Sequence, residues 1–444
     1  MPDLREPSAD RKWLSVLWEH PQVRNAVTAS NSVLSAQIEA VTGGKYTDER
    51  RVRKAVLSMA AYLARWRRPT PFGLFAGIAP ITFGPDPAVL WGGDHRVCLR
   101  ADSEWLADVI ARLHQCPALV ERLHVVANNT AQVRGQRVVV AGQSADGHEL
   151  LASPVEVSVR CTPPVATALE AARTSVPYSR VRGALVRRFP DTSTEKIDAL
   201  LGGLLSQSLL LSNLWAPMTC TDALGHLCTQ LTEAGADRIS AITDLVGQLH
   251  SIHHDLVRPT AHTAWPLREP TLQRMRTLTS VAPLPVIVDT ALDCRVELPT
   301  RVIRTLEQTA DVLTRVSAHP FGRPEWRDYH HRFRARYGPG AVVPVLELVS
   351  DSGLGWPAGY LGADRRRPRT LFTERDAILL ELVQQTTARQ GEEIVLTEEL
   401  ITRLGPAQGE QIAPPPRVEL CVQLHASTMQ ALARGEFAVS CRVF

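Results

Sequence analysis

The sequence predicts an α+β fold: a mixed, irregular domain with a winged-helix-like unit embedded in it. Helical-period apolar stripes run through residues 10–66 and return beyond residue 221. Between them, short runs rich in β-branched residues give way to three short helical segments and a closing strand, the order of a winged helix. The chain has 444 residues, 44% hydrophobic and 21% charged, which permits a packed core over about two or three domains.

Residues 10–42 read as one or two helices, with Leu14, Leu17 and Trp18 at helical spacing and Val33, Ile38 and Val41 following less regularly. Residues 48–66 make a stronger helix. Val52, Val56, Met59 and Leu63 form its apolar stripe, and Arg51, Lys54, Ser58 and Arg65 a neighbouring face. Pro69, Pro71 and Gly73 end it. A helix over 102–114 takes Asp102 or Ser103 as its N-cap. Strands follow at 124–127, 131–133 and 137–141, and the alternation of Val155, Val157 and Val159 marks another. Helices over 165–173, 178–189 and 194–207 and a strand at 209–211 complete the winged-helix-like unit, placed at 131–215. Beyond it, helices are expected over 221–256, 301–316, 325–337 and 374–389. Strands are expected at 286–289 (buried), 342–349 and 419–424, and 351–370 is a Gly-, Pro- and Arg-rich loop. No repeat of 20–50 residues is visible.

Composition excludes several classes. A net charge of +3 is too small for a strongly basic nucleic-acid-binding protein. Only Lys12, Lys45, Lys54 and Lys196 are lysines among 49 basic residues, so arginine dominates. Arginine suits bidentate phosphate or carboxylate contacts, and a GC-rich genome gives the same bias, so only clustered arginines count. The eight cysteines form no C-x-x-C pair and have no zinc-spaced histidines beside them, so no metal site is expected. They read as reduced, mostly buried thiols of a cytoplasmic protein. His253–His254 and His330–His331 are adjacent pairs that point apart on a helix. The first 13 residues lack the apolar core of a signal peptide. The apolar stretch 69–85 is broken by prolines and glycines, so no membrane insertion is expected.

The most distinctive segment is Arg65-Trp-Arg-Arg-Pro-Thr-Pro-Phe-Gly-Leu-Phe-Ala-Gly77. It resembles the R-x-T-P-F-G-L-F-A-G signature of lantibiotic dehydratases. Pro21-Gln-Val-Arg-Asn-Ala26, Arg100-Ala-Asp-Ser-Glu-Trp-Leu106, Phe333-Arg-Ala-Arg-Tyr-Gly338, Val343-Pro-Val-Leu-Glu347, Gly353-Leu-Gly355 and Gly435-Glu-Phe437 resemble further segments of that family, in the same order. The resemblance implies a glutamylation domain, which moves glutamate from glutamyl-tRNA to Ser and Thr of a precursor peptide in lanthipeptide-type antibiotic biosynthesis. A separate elimination domain then removes glutamate to leave a dehydroamino acid. The chemistry is sound: hydroxide leaves poorly and a carboxylate well, and acyl transfer from a tRNA ester needs positioning, deprotonation of the hydroxyl and oxyanion donors.

On this reading 1–130 is the N-terminal part of the glutamylation domain, 131–215 the leader-peptide recognition element, and 216–444 the continuation of the domain, cut short. The elimination domain and a later functional arginine of the family have no counterpart, nor is its Arg-containing segment evident before residue 13. The expected partners are the precursor's leader, glutamyl-tRNA as co-substrate with no other cofactor, a second polypeptide supplying the missing parts, and a second copy in a homodimer. The alternatives are an inert leader-binding fragment and a peptide aminoacyl-tRNA ligase.

The resemblance assigns Arg68, Thr70 and Asp102 to catalysis. Arg68 would grip the tRNA end or the glutamyl group, Thr70 would hydrogen-bond nearby, and Asp102 would orient the ammonium or help deprotonate the hydroxyl. The bland readings are a helix-terminating turn for the first two and an N-cap for Asp102. Lys54, Arg65 and Arg67 would extend a basic face for tRNA, or a solvated one. Arg336 and Tyr337 read as packing and capping, and Arg365-Arg366-Arg367 with Arg369 as a basic loop. Val155, Val157, Val159, Ile197 and Leu201 would line a groove in which the leader adds as a strand. They equally suit the unit's own core, and Arg180, Arg182, Arg187 and Arg188 give a DNA-binding winged helix some standing.

Overall fold

A computed structural model describes residues 7–441 apart from 47, 68–69, 143–154, 259, 320–321, 361–362, 364, 367–371, 392 and 406–416. The chain divides into two compact units, Met1–Pro80 with Val89–Arg295, and Ile81–Ala88 with Val296–Phe444.

The first unit opens with the helices Pro7–Glu19, Pro21–Ser30, Ser32–Thr42 and Glu49–Leu63. Residues 10–42 therefore hold three helices. Pro21 starts the second, where its missing N–H costs nothing. Asn31 breaks the run by turning extended, and its side chain accepts from the Leu34 amide to cap the third. The apolar stripes meet in one core of Leu14, Trp18, Val27, Ile38, Val56 and Met59.

A three-stranded antiparallel sheet follows, in which Arg96–Ala101 lies between Thr260–Ala261 and Val286–Ala291. The strand Arg96–Ala101 escaped the sequence reading, although Val97 and Leu99 alternate with exposed Arg96, Cys98 and Arg100. The expected buried strand at 286–289 forms, but only one of its faces is buried: Val286 and Val288 point inward and Ile287 does not. The helices Ser103–Leu113, Ala223–Glu233, Thr243–Val257 and Glu269–Leu278 supply the core that these strands share.

A separate core belongs to the winged-helix-like segment, where Val138, Val140, Val165, Val181, Leu185, Ile197 and Leu201 pack together. Its strands are His124–Ala127, Gln132–Arg134, Arg137–Gly142, Val155–Arg160 and Leu210–Ser212, and its helices Pro163–Ala171, Tyr178–Arg188 and Thr194–Ser206. Each lies within a few residues of its expected position. Arg182 forks onto Asp198 (2.6 and 3.0 Å) and ties the second helix to the third. Burial pushes the Tyr178 phenol up to about 12, and the nearby Asp198 carboxylate adds to the shift.

His114 gives this unit a pH dependence. Its Nε2 lies 2.8 Å from Ser212 Oγ, and burial lowers its pKa to about 4. The folded state thus holds the ring neutral while the unfolded chain takes a proton below about 6.5. Stability is complete above that pH and falls as pH drops towards 4, by about 3 kcal/mol at most. Urea titrations of the unit at pH 7.5 and 4.5 should show this loss, and His114→Gln should reduce it. An unchanged slope in the variant would rule the assignment out.

In the second unit, Ile81–Gly84 pairs in parallel with the end of Cys294–Pro299, and the helices Thr300–Arg315, Pro324–Tyr337, Glu374–Ala388 and Glu398–Leu404 follow. Val422–His425 and Ala438–Cys441 close it as an antiparallel pair. The strand expected at 342–349 does not form: Pro344 leads into one helical turn, Val345–Leu348, and Val342 is 95% exposed. A short apolar run has no periodicity that separates the two outcomes. The cysteines also differ from expectation, since only Cys116 and Cys228 are buried.

Candidate functional site

The described parts of the Arg65–Gly77 segment, either side of residues 68–69, are the end of a helix and a tight turn. Glu49–Leu63 passes into a single 3-10 turn, Ala64–Arg67. Phe72 N donates to Ala76 O (2.8 Å) and Phe75 N to Phe72 O (2.9 Å), which closes the turn. Tyr62, Trp66, Phe72 and Phe75 pack their rings at 5.2–6.0 Å around it. Tyr62 is itself fixed, because Asn31 Nδ2 donates to its hydroxyl (3.0 Å).

Two glycines are required here. Gly73 has φ +51, in the left-handed region, and a Cβ on it would come 2.9 Å from Ser30 Oγ. A Cβ on Gly77 would sit 2.6 Å from Thr290 O, a backbone atom with no freedom to withdraw. Thr290 anchors the segment at both ends: its Oγ1 donates to Gly73 O (2.8 Å), and its carbonyl accepts from Ile78 N (2.9 Å). The turn is thereby attached to the margin of the Arg96–Ala101 and Val286–Ala291 strand pair.

Asp102 stands at the far end of that pair. Thr290 is opposite Val97, whereas Ala101 is opposite Val286. Asp102 lies five positions beyond Val97, roughly 16 Å at the usual rise. Asp102 caps the helix Ser103–Leu113: its Oδ1 accepts from Glu104 N (2.8 Å) and Trp105 N (3.2 Å). Both amides bond to Oδ1, so the cap does not use Oδ2.

On the exposed face between these points, Arg100 pairs with Asp289 at 2.7 Å. With both side chains 47% exposed, the pair contributes about 0–1 kcal/mol. Neither residue was singled out from the sequence, and the signal that could have found them is the period-2 alternation along Arg96–Ala101.

The other expected site residues are spread more widely. Arg68 lies outside the described residues, as do the side chains of Arg67 and Val155. Thr70 is exposed, and so is Lys54. The Arg65 guanidinium stacks 4.7 Å over the Phe72 ring, so it belongs to the turn's packing as well as its charge. In the winged-helix-like segment Ile197 and Leu201 are buried in the core, and Val157 and Val159 pack against it half-buried. The strand Val155–Arg160 pairs with Arg137–Gly142 on one side only, among the described residues. Arg336 donates to Gly353 O (2.9 Å) and Ser352 O (2.5 Å) and lies over the Tyr337 ring, so it packs as expected but ties its helix to the 352–353 loop rather than capping the helix end. Among the described residues no group of three or more His, Cys, Asp or Glu could hold a metal ion, and no helix is long and apolar enough to cross a membrane.

A mixed helical and stranded domain with an internal winged-helix-like segment and this anchored Thr-Pro-Phe-Gly turn fits the N-terminal region of a lantibiotic dehydratase. The chain belongs to the family described as lantibiotic dehydratase, N terminus, whose profile matches residues 19–443. It is 28% identical over 319 residues to the subtilin biosynthesis protein SpaB of Bacillus subtilis, a match covering 70% of this chain and 29% of that protein. It is 21% identical over 320 residues to the epidermin biosynthesis protein EpiB of Staphylococcus epidermidis, covering 70% and 31%. The crystal structure of the tRNA-dependent lantibiotic dehydratase MibB from Microbispora sp. 107891 superposes with a TM-score of 0.80 at 31% identity, over 98% of this chain and 43% of that one. The glutamylation domain TbtB from thiomuracin biosynthesis shares the fold, with a TM-score of 0.53 at 18% identity over 91% and 51% of the two chains. The chain thus spans under a third of the two biosynthesis proteins and under half of MibB.

Proposed function

We propose that this chain carries out the acyl-transfer half of peptide dehydration, moving glutamate from glutamyl-tRNA to Ser and Thr hydroxyls of a precursor peptide. The observation that carries this is the match along almost the whole chain to MibB, a tRNA-dependent lantibiotic dehydratase. In this reading Arg68 and Thr70 bind the tRNA terminus or the glutamyl group. Asp102 offers its second carboxylate oxygen to the ammonium or to the attacking hydroxyl, and the Arg100–Asp289 pair borders the path between them. The 131–215 unit takes the leader at the edge of Val155–Arg160 that no described strand pairs with, so main-chain hydrogen bonds hold it and Val155, Val157 and Val159 set the register. The cytoplasm, where charged tRNA is available, is the compartment this chemistry needs. A second copy of the chain would complete a homodimer.

Intact-mass analysis of the precursor, co-expressed with this chain alone and with its gene neighbours, tests the proposal. Glutamyl adducts in either case support it. A soluble chain with an unmodified precursor in both cases rejects it. The winged-helix-like segment has a core of its own, which favours a second reading as a leader-binding module. That reading fails if calorimetry with the cognate leader shows no heat at high concentration. A transferred residue other than glutamate would identify a peptide aminoacyl-tRNA ligase.

A further inference from the structure

The edge of Val155–Arg160 is not bare. This strand pairs antiparallel with Arg137–Gly142, with Val159 opposite Val138 and Ser158 opposite Val139. Cys161 N donates to Gln136 O (2.7 Å), directly across the same ladder, which fixes its phase. Opposite residues in such a pair alternate between exchanging hydrogen bonds and turning their main-chain groups the other way. Counting back from Cys161, Val159 and Val157 bond across to the neighbouring strand. Glu156, Ser158 and Arg160 therefore turn their N–H and C=O groups to the far edge, where no described strand pairs.

Two of these outward carbonyls already accept a bond from within the chain. Thr162 N donates to Arg160 O (2.8 Å), which closes the edge where the chain turns into the helix Pro163–Ala171. The other donor is a side chain. Arg137 Nη2 donates to Ser158 O (2.7 Å), and Arg137 Nε donates to Ser158 Oγ (2.9 Å). Arg137 belongs to the neighbouring strand, so its guanidinium crosses over Ser158 to reach an acceptor on the far edge. Both residues are exposed, so the fork opens into water and not into a packed core.

We propose that Arg137 guards this edge: it holds the Ser158 carbonyl in the empty chain and must swing away before a leader strand adds, an inference that rests on the leader-binding reading above. An incoming antiparallel strand needs Ser158 O for one of its own N–H groups, at the middle of the three outward positions. A charge-assisted bond already occupies that oxygen, and such bonds are stronger than the amide bond that would replace it. An unguarded edge is a template for any extended chain, and charged side chains laid on edges discourage such pairing. With the guard in place, a strand that offers main-chain bonds alone gains little. A leader whose side chains also find apolar contact beside the strand gains enough to displace it.

The test is binding of a synthetic, fluorescently labelled peptide, spanning the leader of the neighbouring precursor, to the full chain and to its Arg137→Ala and Arg137→Lys variants. Arg137→Ala should bind about two- to tenfold more tightly, the equivalent of one exposed hydrogen bond, and the gain should lie in the association rate. Arg137→Lys keeps the charge and loses the fork, and its affinity should fall between the other two. Circular dichroism spectra should match that of the native chain. Hydrogen exchange over residues 155–161 should slow in all three proteins when the peptide binds. Unchanged or weaker binding by Arg137→Ala, with exchange still slowed at 155–161, overturns the guard and leaves the leader reading standing. Weaker binding through faster dissociation would make Arg137 a contact of the leader instead. If no protein of the three binds the peptide, or if binding leaves exchange at 155–161 unchanged, the leader reading falls and the guard with it.

Discussion

Trp105→Ala is expected to destabilise the first unit by about 3–5 kcal/mol, the range for emptying a large buried aromatic site. Trp105 is fully buried, and its Nε1 donates to Met275 O (2.9 Å), so the ring joins Ser103–Leu113 to Glu269–Leu278. Truncation removes the ring's contacts with the surrounding core. It also removes one of the two donors to the Met275 carbonyl, which still accepts from Thr279 N (3.1 Å). Trp105→Phe separates the two terms, because it keeps most of the apolar contact and loses the hydrogen bond while Met275 O retains Thr279 N, and should cost about 0.5–1.5 kcal/mol. Urea unfolding followed by a probe in the first unit reads both. Equal losses for the two variants would mean that the hydrogen bond dominates and that the cavity collapses around alanine. A marginal domain with 5–15 kcal/mol of stability should tolerate the phenylalanine and be badly compromised by the alanine.

The same residue shows how much was legible in the sequence. Trp105 sits in a helix whose apolar face repeats at Leu106, Val109, Ile110 and Leu113, and such a face announces both the helix and its burial. The winged-helix-like strands were legible for a related reason, since Asn128 and Gly135 punctuate them where a turn is needed. The partnership of Trp105 with Met275 was not legible, because a contact 170 residues away leaves no periodic trace. Thr290 is the sharper case. Its hydroxyl and carbonyl hold the Gly73–Ile78 segment, yet nothing local to Val288-Asp289-Thr290 suggests that a turn some 217 residues earlier rests on it. The resemblance supplied Arg68, Thr70 and Asp102 from the order of short motifs. It carried no information on their spacing in three dimensions, which is why Asp102 emerges at the opposite end of a strand from the turn's anchor.

That separation makes Asp102→Asn the more informative experiment on the candidate site. An asparagine keeps an oxygen to accept from Glu104 N and Trp105 N, and as an N-cap it is nearly equal to aspartate. Stability should therefore change by less than about 0.5 kcal/mol, the difference being the loss of negative charge at a helix N-terminus. Asp102→Ala removes the cap itself and should cost about 0.5–2 kcal/mol. If Oδ2 orients the glutamate ammonium or helps deprotonate the acceptor hydroxyl, Asn should lower the rate of glutamyl transfer by about 10²–10⁴ at nearly unchanged stability. If Asp102 only starts the helix, Asn should retain activity and Ala should lose it in step with stability. Initial rates of adduct formation at saturating glutamyl-tRNA, set beside urea midpoints for the same three proteins, distinguish the cases. A rate that follows the midpoint across the series would return Asp102 to a purely structural role and shift the search for the charged group to Asp289, whose carboxylate is held 2.7 Å from Arg100 on the exposed face of the same strand pair.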